Sequence, residues 1–588
     1  MKSTIPILLL LFSLIIACNT KKKPMQQNTI NANWWKEAVV YQLYPRSFKD
    51  SNGDGIGDLN GVTEKISYLQ KLGINAIWMN PICESPNDDN GYDISNYKGI
   101  MKEMGTMKDF DDMMVALKKA NINLIMDLVL NHSSDEHEWF KQAKSSRTNK
   151  YRNYYHWWPA EKGTPPKRFS LFDEKSNAWK YDTTTNSYYL HYFSKKQPDL
   201  NWENPALRQE FYDIMKFWLK KGVAGFRLDA YPFMAKDTTW PAMPNDFTNG
   251  QFIKYYGSNN NLHKYLNEMH HEIFSEFPNC YLVGEGGVVE FKEIINFVHK
   301  DRKELNSSYH SDHVDSWGRS KNDNSIYDST NKDLLALKNI FYKWDTLMKD
   351  DGWNTAYFTN HDHSRAVSRF GDDGMYRIES AKMLMTCLLT QRATPYIYNG
   401  DEIGMTNIRF NSINDYNDLS TKNWYKQLLA TDKNKANQYL ESQKELSRDN
   451  SRTPMQWNTS LNAGFTTGTP WLKINPNYLT VNVEDNINNK ESIFTYTQKM
   501  IQLRNKFKDV LVYGKFNLVD ENNKDVFAYT RNTNNQNILV LLNFSNRQVK
   551  YAVPQNIIIS SILINNYSNK FESNILQPFQ SVVLELSK

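Results

Sequence analysis

Short apolar runs alternate with segments in which apolar residues recur every three or four positions, from about residue 33 to residue 400. The first pattern is typical of buried strands, and the second of amphipathic helices. Strands are predicted at 38–45, 76–81, 124–132, 225–230, 281–285, 308–315, 354–362 and 394–401. Helices are predicted between them at 64–72, 110–120, 205–221, 262–277, 334–348 and 378–391. Eight strands alternating with helices predict an α/β fold, a parallel (β/α)8 or TIM barrel.

Two segments depart from this alternation. Residues 133–201, after the third strand, are too long for a simple loop and predict an inserted subdomain within a barrel of 34–132 and 202–507. Its aromatic residues are predicted to line a pocket: Trp157, Trp158, Phe169, Tyr189 and Phe193. Strand-like stretches at 526–530, 538–542, 557–563 and 581–586 follow one another with Asn-rich turns. Residues 508–588 are therefore predicted to form a C-terminal antiparallel β-sandwich.

The N-terminus reads as an export signal. Lys2 precedes an apolar run at 5–17 that is too short for a stable membrane span. The run ends in Ile-Ile-Ala-Cys18, which resembles a bacterial lipobox, so residues 1–18 are predicted to be a signal and Cys18 to be lipidated. Residues 19–33 then form a flexible tether. We expect a membrane-anchored lipoprotein facing the periplasm; the alternative is an ordinary cleaved signal.

The composition of the chain limits the classes of molecule that it is expected to bind. The 588 residues are 40% hydrophobic and 23% charged, as in a soluble globular protein. The net charge is only +5, with no basic stripe interleaved with aromatic residues, which argues against a nucleic-acid partner. Cys83, Cys280 and Cys387 match no zinc or redox spacing and are predicted to be buried thiols. We expect a monomer whose contact with a membrane is made only through the lipid.

Charged residues at predicted strand ends carry the candidate chemistry. Arg227 and Asp229 share one face of the fourth strand, so the arginine is expected to lower the pKa of Asp229 and keep it ionised. Such a carboxylate is a candidate nucleophile, although a structural Arg–Asp pair is the alternative. Glu285 and the tripeptide 360–362 occupy other strand ends. Because barrel enzymes carry their chemistry at this face, the sequence predicts one shared active site.

Four stretches carry a family resemblance. Asp-Leu-Val-Leu-Asn-His at 127–132, Gly-Phe-Arg-Leu-Asp at 225–229, Gly-Glu at 284–285 and Asn-His-Asp at 360–362 resemble the conserved regions of the α-amylase family, glycoside hydrolase family 13. Stretches 41–48, 197–201 and 447–457 resemble its oligo-1,6-glucosidase and α-glucosidase branch. The resemblance implies a retaining, exo-acting glycoside hydrolase that removes terminal α-linked glucose from short oligosaccharides without an organic cofactor.

The resemblance also implies residue roles. Asp229 is the nucleophile, Glu285 the acid and base, and Asp362 the carboxylate that stabilises the transition state. Apolar residues before Glu285 suit a carboxyl group that stays protonated. The implied substrate-binding residues are Asp89, Tyr92, His132, Phe193, Gln197, Arg227, His361 and Arg448. A pair between Asp89 and Arg448 closes the pocket behind the first glucose, which makes the enzyme exo-acting.

The loop at 50–58 places oxygen donors at alternate positions. This pattern suits a hard cation, Ca²⁺ or Mg²⁺, and the family has a structural metal at this loop. The implied ligands are Asp50, Asn52, Asp54, the Ile56 carbonyl and Asp58. The alternative is a polar, Gly-rich turn without an ion.

Some positions depart from the family pattern. Ala230 follows the nucleophile where members that prefer α-1,6 bonds usually carry valine, which favours α-1,4 bonds. Gly286 and Gly287 are expected to open the leaving-group side.

Stretches 352–355 and 390–395 look like those of the sucrose isomerases, but the aromatic clamp and Arg-rich loop of that group are missing. Hydrolysis therefore ranks above isomerisation or glucosyl transfer. A non-catalytic glycan binder ranks lower still, because all three carboxylates are present.

Overall fold

The computed structural model describes residues 33–172, 176–244, 252–257, 260–555, 557–569, 571–572 and 574–587. The predicted signal, Cys18 and the tether up to residue 32 lie outside this part of the chain. Within it, no helix is long and apolar enough to cross a bilayer. Cys83, Cys280 and Cys387 are buried free thiols, as predicted.

Eight parallel strands form the predicted barrel. They are Val40–Leu43, Ala76–Met79, Asn123–Val129, Gly225–Asp229, Tyr281–Glu285, Ser307–Tyr309, Thr355–Ala356 and Thr394–Tyr398. Each strand from the first to the fifth pairs with the next, and the eighth pairs with both the first and the seventh. A single parallel bridge between Ser308 and Asn354 closes the barrel between the sixth and seventh strands.

The predicted sixth and seventh strands were too long. The stretch 308–315 holds the end of a three-residue strand and most of a helix, Asp312–Ser316, which has two acidic residues in its first turn. Acidic side chains favour a helix N-terminus. After Thr355–Ala356 the chain turns, because the Asn360 Oδ1 atom accepts the Asp362 amide at 2.8 Å. Local side-chain bonds of this kind compete with strand pairing.

Helices surround the barrel close to the predicted positions. Those between strands are Leu59–Glu64, Ile66–Leu72, Met107–Lys119, Pro205–Lys220, Phe252–Tyr256, Asn260–Phe274, Ile294–Val298, Leu334–Met348, Ala366–Phe370 and Arg377–Leu389. The predicted helix 64–72 is in fact two helices that meet at Lys65. Trp34–Glu37 precedes the first strand, and Leu419–Thr431, Lys433–Leu446, Asp449–Arg452, Val483–Asn488, Ile493–Lys506 and Lys508–Leu511 follow the last.

The insert after the third strand is a small α+β unit. It contains helix Glu138–Ser145 and a three-stranded antiparallel sheet, Trp157–Pro159, Ser187–Leu190 and Trp179–Asp182. A separate hairpin, Cys83–Glu84 with Asn96–Ile100, follows the second barrel strand. The insert is joined to the barrel by a buried ion pair in which Lys236 Nζ lies 3.1 Å from Asp199 Oδ2. Lys236 also donates to the Asn131 side chain at 2.8 Å.

The C-terminal region is a β-sandwich, as predicted. Five antiparallel strands form the main sheet, Lys515–Val519, Val526–Asn532, Asn537–Asn543, Ser581–Leu586 and Ile559–Asn565. Val549–Lys550 and Ile575–Leu576 form a second, two-stranded sheet. Alternate side chains separate the two faces: Phe527 and Tyr529 join the barrel core, whereas Val526 and Ala528 pack with Leu576 of the small sheet. The sandwich therefore packs against the barrel through one face of its main sheet.

Candidate active site

A cavity of about 1050 Å³ opens at the carboxyl ends of the barrel strands. The residues that line it include nine of the predicted site residues: Asp229, Glu285, Asp362, Asp89, Tyr92, His132, Phe193, His361 and Arg448. Arg227 and Gln197 lie directly behind this lining and contact Asp229 and Asp89. Phe169 also lines the cavity, as predicted.

Three of the aromatic residues that were predicted to line the pocket do not line the cavity. Trp157 stacks on Phe140 inside the insert, with ring centroids 5.7 Å apart. The Trp158 indole donates to the Gly163 carbonyl at 3.0 Å. Tyr189 packs edge-on against Phe140. These rings make contacts within the insert and do not line the cavity, which composition alone could not distinguish from a sugar-stacking platform.

One guanidinium group organises the catalytic carboxylates. The buried Arg227 places Nη1 2.6 Å from Asp229 Oδ1 and 2.8 Å from Asp127 Oδ1. Its Nη2 atom lies 2.7 Å from Glu285 Oε2. It also donates to the Tyr309 hydroxyl, through Nη2 at 2.6 Å. Asp229 and Glu285 therefore flank one point of the cavity, held by a single cation.

The expected direction of the Asp229 pKa was wrong. Burial raises the pKa of Asp229 well above its usual range, and Arg227 opposes this without cancelling it. Burial likewise raises the pKa of Asp127 to about 6. Desolvation penalises every carboxylate gathered here, and the neighbouring carboxylates add repulsion. Arg227 is therefore the group that favours the ionised nucleophile against its surroundings, through a short charge-assisted bond.

Glu285 is the more accessible of the two carboxylates. Its side chain is 29% exposed, against 11% for Asp229. The Ala230 amide donates to Glu285 Oε2 at 3.2 Å. Ala230 has a left-handed backbone, with φ of +46°. A β-branched residue adopts this conformation only with strain, so alanine suits the turn that brings the amide to Glu285.

Two arginines and a histidine surround Asp362. Arg448 Nη1 and Arg452 Nη2 each lie 3.0 Å from Asp362 Oδ1. His361 Nε2 lies 3.1 Å from Asp362 Oδ2. Although burial acts to raise it, the pKa of Asp362 is lowered by His361, Arg448 and Arg452. Asp362 is thus a permanent anion at the floor of the cavity. Sequence reasoning missed Arg452, although its spacing of four from Arg448 was a usable signal.

Arg448 does not pair chiefly with Asp89, which corrects the prediction. Arg448 Nη2 lies 4.0 Å from Asp89 Oδ1, whereas it hydrogen-bonds Asp418 directly and contacts Asp362 more closely. Gln197 donates to Asp89 Oδ2 at 3.2 Å. Burial raises the pKa of Asp89 to about 7, with Arg448 opposing. Asp418 comes from a stretch in which no motif was recognised.

Two histidines and a tyrosine complete the wall. Tyr92 stacks on His361 with ring centroids 5.4 Å apart, and its hydroxyl donates to Asp127 Oδ2 at 2.9 Å. His361 Nε2 lies 2.7 Å from the same hydroxyl, and His361 Nδ1 lies 2.9 Å from the Gln42 amide nitrogen. Burial lowers the pKa of His132 to about 3 and that of His361 well below its usual range. Both rings are therefore neutral and suited to hydrogen bonds with hydroxyl groups.

The two glycines after Glu285 have different roles. A Cβ atom on Gly287 would meet only Ser311 Oγ, at 3.2 Å, so this position does open the cavity. A Cβ atom on Gly286 would lie 2.5 Å from Ser308 Oγ and 2.6 Å from Ile294 Cδ1. Gly286 is therefore required by close packing, not by access to the cavity.

The predicted metal loop is rich in oxygen. Asp50 accepts the Gly53 amide at 2.7 Å and the Gly55 amide at 2.8 Å, and Asp58 accepts the Gly61 amide at 2.7 Å. Asp50 and Asp58 are buried, and among the ion pairs of the described residues none involves them. This all-oxygen donor set, with buried carboxylates, fits a hard cation. In the described residues no three His, Cys, Asp or Glu side chains gather as a metal cluster, so the Asn52 amide and Ile56 carbonyl would be needed as ligands.

Comparison with known proteins gives concordant matches. Residues 42–514 match the catalytic domain of α-amylase, and residues 526–583 match the α-amylase SusG C-terminal domain. An oligo-1,6-glucosidase of Bacillus cereus is 46% identical over 94% of this chain and 99% of that protein. An α-glucosidase of Schizosaccharomyces pombe is 39% identical over 96% of this chain and 100% of that protein. The crystal structure of isomaltulose synthase from Klebsiella sp. LX3 superimposes with a TM-score of 0.90 at 42% identity, covering 94% of this chain and 99% of that one.

Proposed function

The chain belongs to the α-amylase family and is a glycoside hydrolase, and we propose that it is a retaining, exo-acting α-glucosidase acting on short oligosaccharides. The observation that carries the proposal is the set of Arg227 contacts, because they hold the nucleophile Asp229 and the acid Glu285 at one point of the cavity. Two carboxylates that flank a glycosidic bond are the machinery of such hydrolysis.

The mechanism uses the residues in two steps. Asp229 attacks the anomeric carbon while Glu285 gives its proton to the leaving oxygen, which forms a covalent glycosyl-enzyme. Glu285 then takes a proton from water, which attacks the same carbon and releases glucose with retained configuration. Asp362, kept anionic by Arg448, Arg452 and His361, stabilises the positive charge that develops on the ring.

The closed end of the cavity supports exo-action. Asp89, Tyr92 and Arg448 line it, and Arg448 is held by Asp362 and Asp418. A guanidinium fixed by two carboxylates cannot swing aside readily, so one glucose fits between it and Asp229. Arg448, held by Asp362 and Asp418, thus blocks the space behind the terminal glucose. Asp89 is an acceptor for the hydroxyl groups of that glucose.

Linkage preference has two lines of support. Several similar proteins are named oligo-1,6-glucosidase, which favours α-1,6 bonds. The left-handed Ala230 beside the acid leaves more room than valine would, which favours α-1,4 bonds. We propose activity on both linkages. Isomerisation of sucrose is the second candidate, favoured by the likeness to isomaltulose synthase. Gly287 supplies no aromatic ring beside the acid, so hydrolysis ranks first.

Two further properties belong to the proposal. A structural Ca²⁺ or Mg²⁺ would be held by Asp50, Asn52, Asp54, the Ile56 carbonyl and Asp58, and its chemistry there would be cross-linking of the loop. The protein would be a monomer anchored through a lipid on Cys18, facing the periplasm. Partition of the full chain and of a Cys18→Ser variant into detergent tests the anchor: only the wild type should enter the detergent phase.

The activity test is product analysis. Purified protein is incubated with 4-nitrophenyl α-glucoside, maltoheptaose, isomaltose and sucrose, and the first products are separated. We expect 4-nitrophenol, α-glucose and maltohexaose, with no isomaltulose from sucrose. Early maltose and maltotriose would show an endo-acting enzyme, initial β-glucose would refute retention, and isomaltulose would support the second candidate.

A further inference from the structure

The cavity continues beyond Glu285, on the side away from Asp89. This side is formed by residues after the fifth, sixth and seventh strands, namely Gly287, Glu290, Ser311, Asp315, Asn324 and His363. Because Glu285 protonates the leaving oxygen, the departing sugar must lie on this side. The question is which chemistry the side offers to that sugar.

Asp315 presents a carboxylate oxygen to the cavity. Its side chain is 54% exposed, and Ser311 Oγ donates to its Oδ2 atom. The Oδ1 atom lies 3.7 Å from His363 Nε2 and 4.0 Å from Arg319 Nη2, beyond hydrogen-bond distance from both. Although partial burial acts to raise it, the pKa of Asp315 is lowered by His363 and Arg319. Oδ1 is therefore an anionic acceptor with room for a donor.

His363 is oriented toward the same place. Its Nδ1 atom lies 2.8 Å from Asn360 Oδ1, an acceptor, so Nδ1 carries the proton. The Nε2 atom lies 3.7 Å from Asp315 Oδ1, at the same side of the cavity. A sugar hydroxyl placed between the two side chains can donate to the carboxylate oxygen.

The charges around this space disfavour an anion. Glu290 adds a second carboxylate to the lining. Arg319 lies behind Asp315, where its Nη1 donates to the Asn324 carbonyl at 2.6 Å. Lys167 also lines the cavity, and its Nζ atom lies 4.7 Å from the centre of the Phe169 ring. On the side beyond Glu285, the charged groups of the lining named above are the carboxylates Asp315 and Glu290, which repel a phosphate.

We propose that Asp315 and His363 form the binding site of the leaving sugar, and that this site accepts a neutral sugar through its hydroxyl groups and rejects a phosphorylated one. The inference rests on the proposed glucosidase activity. It assigns the leaving-group side an acceptor chemistry, where a sugar phosphate would need a cluster of cations.

The test compares substrates with and without a leaving sugar. In 4-nitrophenyl α-glucoside the leaving group carries no sugar hydroxyls, whereas maltose, isomaltose and trehalose leave a whole glucose. For Asp315→Asn and His363→Gln, kcat/KM on the best disaccharide should fall about ten-fold more than on the aryl glucoside, as loss of a bond to a charged group predicts. Asp301→Asn, on the surface and 77% exposed, is the matched control and should behave as wild type.

A second arm tests charge. Maltose and trehalose with a 6-phosphate on the leaving glucose should give kcat/KM at least ten-fold below that of the parent sugars. Equal loss on aryl and disaccharide substrates in both variants would overturn the binding role, and efficient cleavage of the phosphates would overturn the preference for neutral sugars. Absence of 4-nitrophenol release by the wild type would instead refute the glucosidase function, so the two failures are distinguishable.

Discussion

Asp89 should destabilise the protein at neutral and alkaline pH. Its side chain is only 9% exposed, and its closest cation, Arg448, lies 4.0 Å away and is engaged by two other carboxylates. Burial raises the pKa of Asp89 from 3.8 to about 7. A raised carboxyl pKa means that the folded state holds the proton more tightly than the unfolded state. Protonated Asp89 therefore contributes its full stabilisation below about pH 4. This contribution is lost progressively as the pH rises through about 7.

The size of the effect follows from the shift. The difference between about 7 and 3.8 is about 3 units. At about 1.36 kcal/mol per unit, ionised Asp89 lowers the free energy of unfolding by about 4 kcal/mol above pH 7. At about 2.1 cal/mol/K per residue over 588 residues, the entropy of unfolding is about 1.2 kcal/mol/K. The cost therefore corresponds to about 3 °C in Tm.

Asp89→Asn removes the ionisation but keeps the shape and an acceptor for Gln197. The variant should melt about 3 °C above wild type at pH 8 and no higher than wild type at pH 4.5, while its KM for maltose and isomaltose rises. Calorimetry at both pH values measures this, with Asp301→Asn as a control that matches wild type. An equal Tm difference at both pH values, or a less stable variant at pH 8, would refute the assigned burial cost.

Five other substitutions test separate parts of the structure. Asp229→Asn and Glu285→Gln should each lower kcat on 4-nitrophenyl α-glucoside by more than about 100-fold with an unchanged circular dichroism spectrum; activity above a tenth of wild type would contradict their roles. Arg448→Ala should weaken binding of the terminal glucose, seen as a higher KM and as maltose among the first products from maltoheptaose; glucose alone would mean that another group closes the pocket. Asp54→Ala, or a chelator, should lower the Tm, and added Ca²⁺ should restore it only in the chelated wild type. Lys236→Met should destabilise the fold by about 3–5 kcal/mol by leaving a buried carboxylate unpaired; a near-native Tm would contradict this.

Strand positions followed from the apolar pattern wherever both faces of a strand are buried. The fifth strand, Tyr281–Glu285, begins and ends where the pattern predicts. The sixth and seventh strands did not, because Ser311, Asp315 and Asn360 bond neighbouring groups and turn the chain out of the sheet. These turns place Asp315 and His363 beside the cavity, so the predictions failed where the site is built.

Site residues were predictable where a strand end carries them. The barrel topology fixes where the end of each strand lies, so Asp229 and Glu285 meet whatever the loops do. Asp362 lies in the turn after the seventh strand and was found through its motif. Partners from distant loops were not predictable in this way. Asp418 reaches Arg448 from a stretch in which no motif was recognised, and its approach depends on the packing of helices after the eighth strand. The closure of the pocket therefore depends on how the segment after the eighth strand folds.

The direction in which folding shifts a carboxyl pKa could not be predicted from the spacing of residues in the sequence. Asp229 has its cation two residues away, yet burial raises its pKa. Asp362 has cations from distant residues, Arg448 and Arg452, and its pKa is lowered although burial acts on it too. Arg227 is shared among three carboxylates, whereas His361 and two arginines converge on Asp362. The sign of the shift therefore depends on which groups fold against each carboxylate. An active site that needs both a permanent anion and a tunable carboxylate therefore has to draw its cations unequally from across the chain.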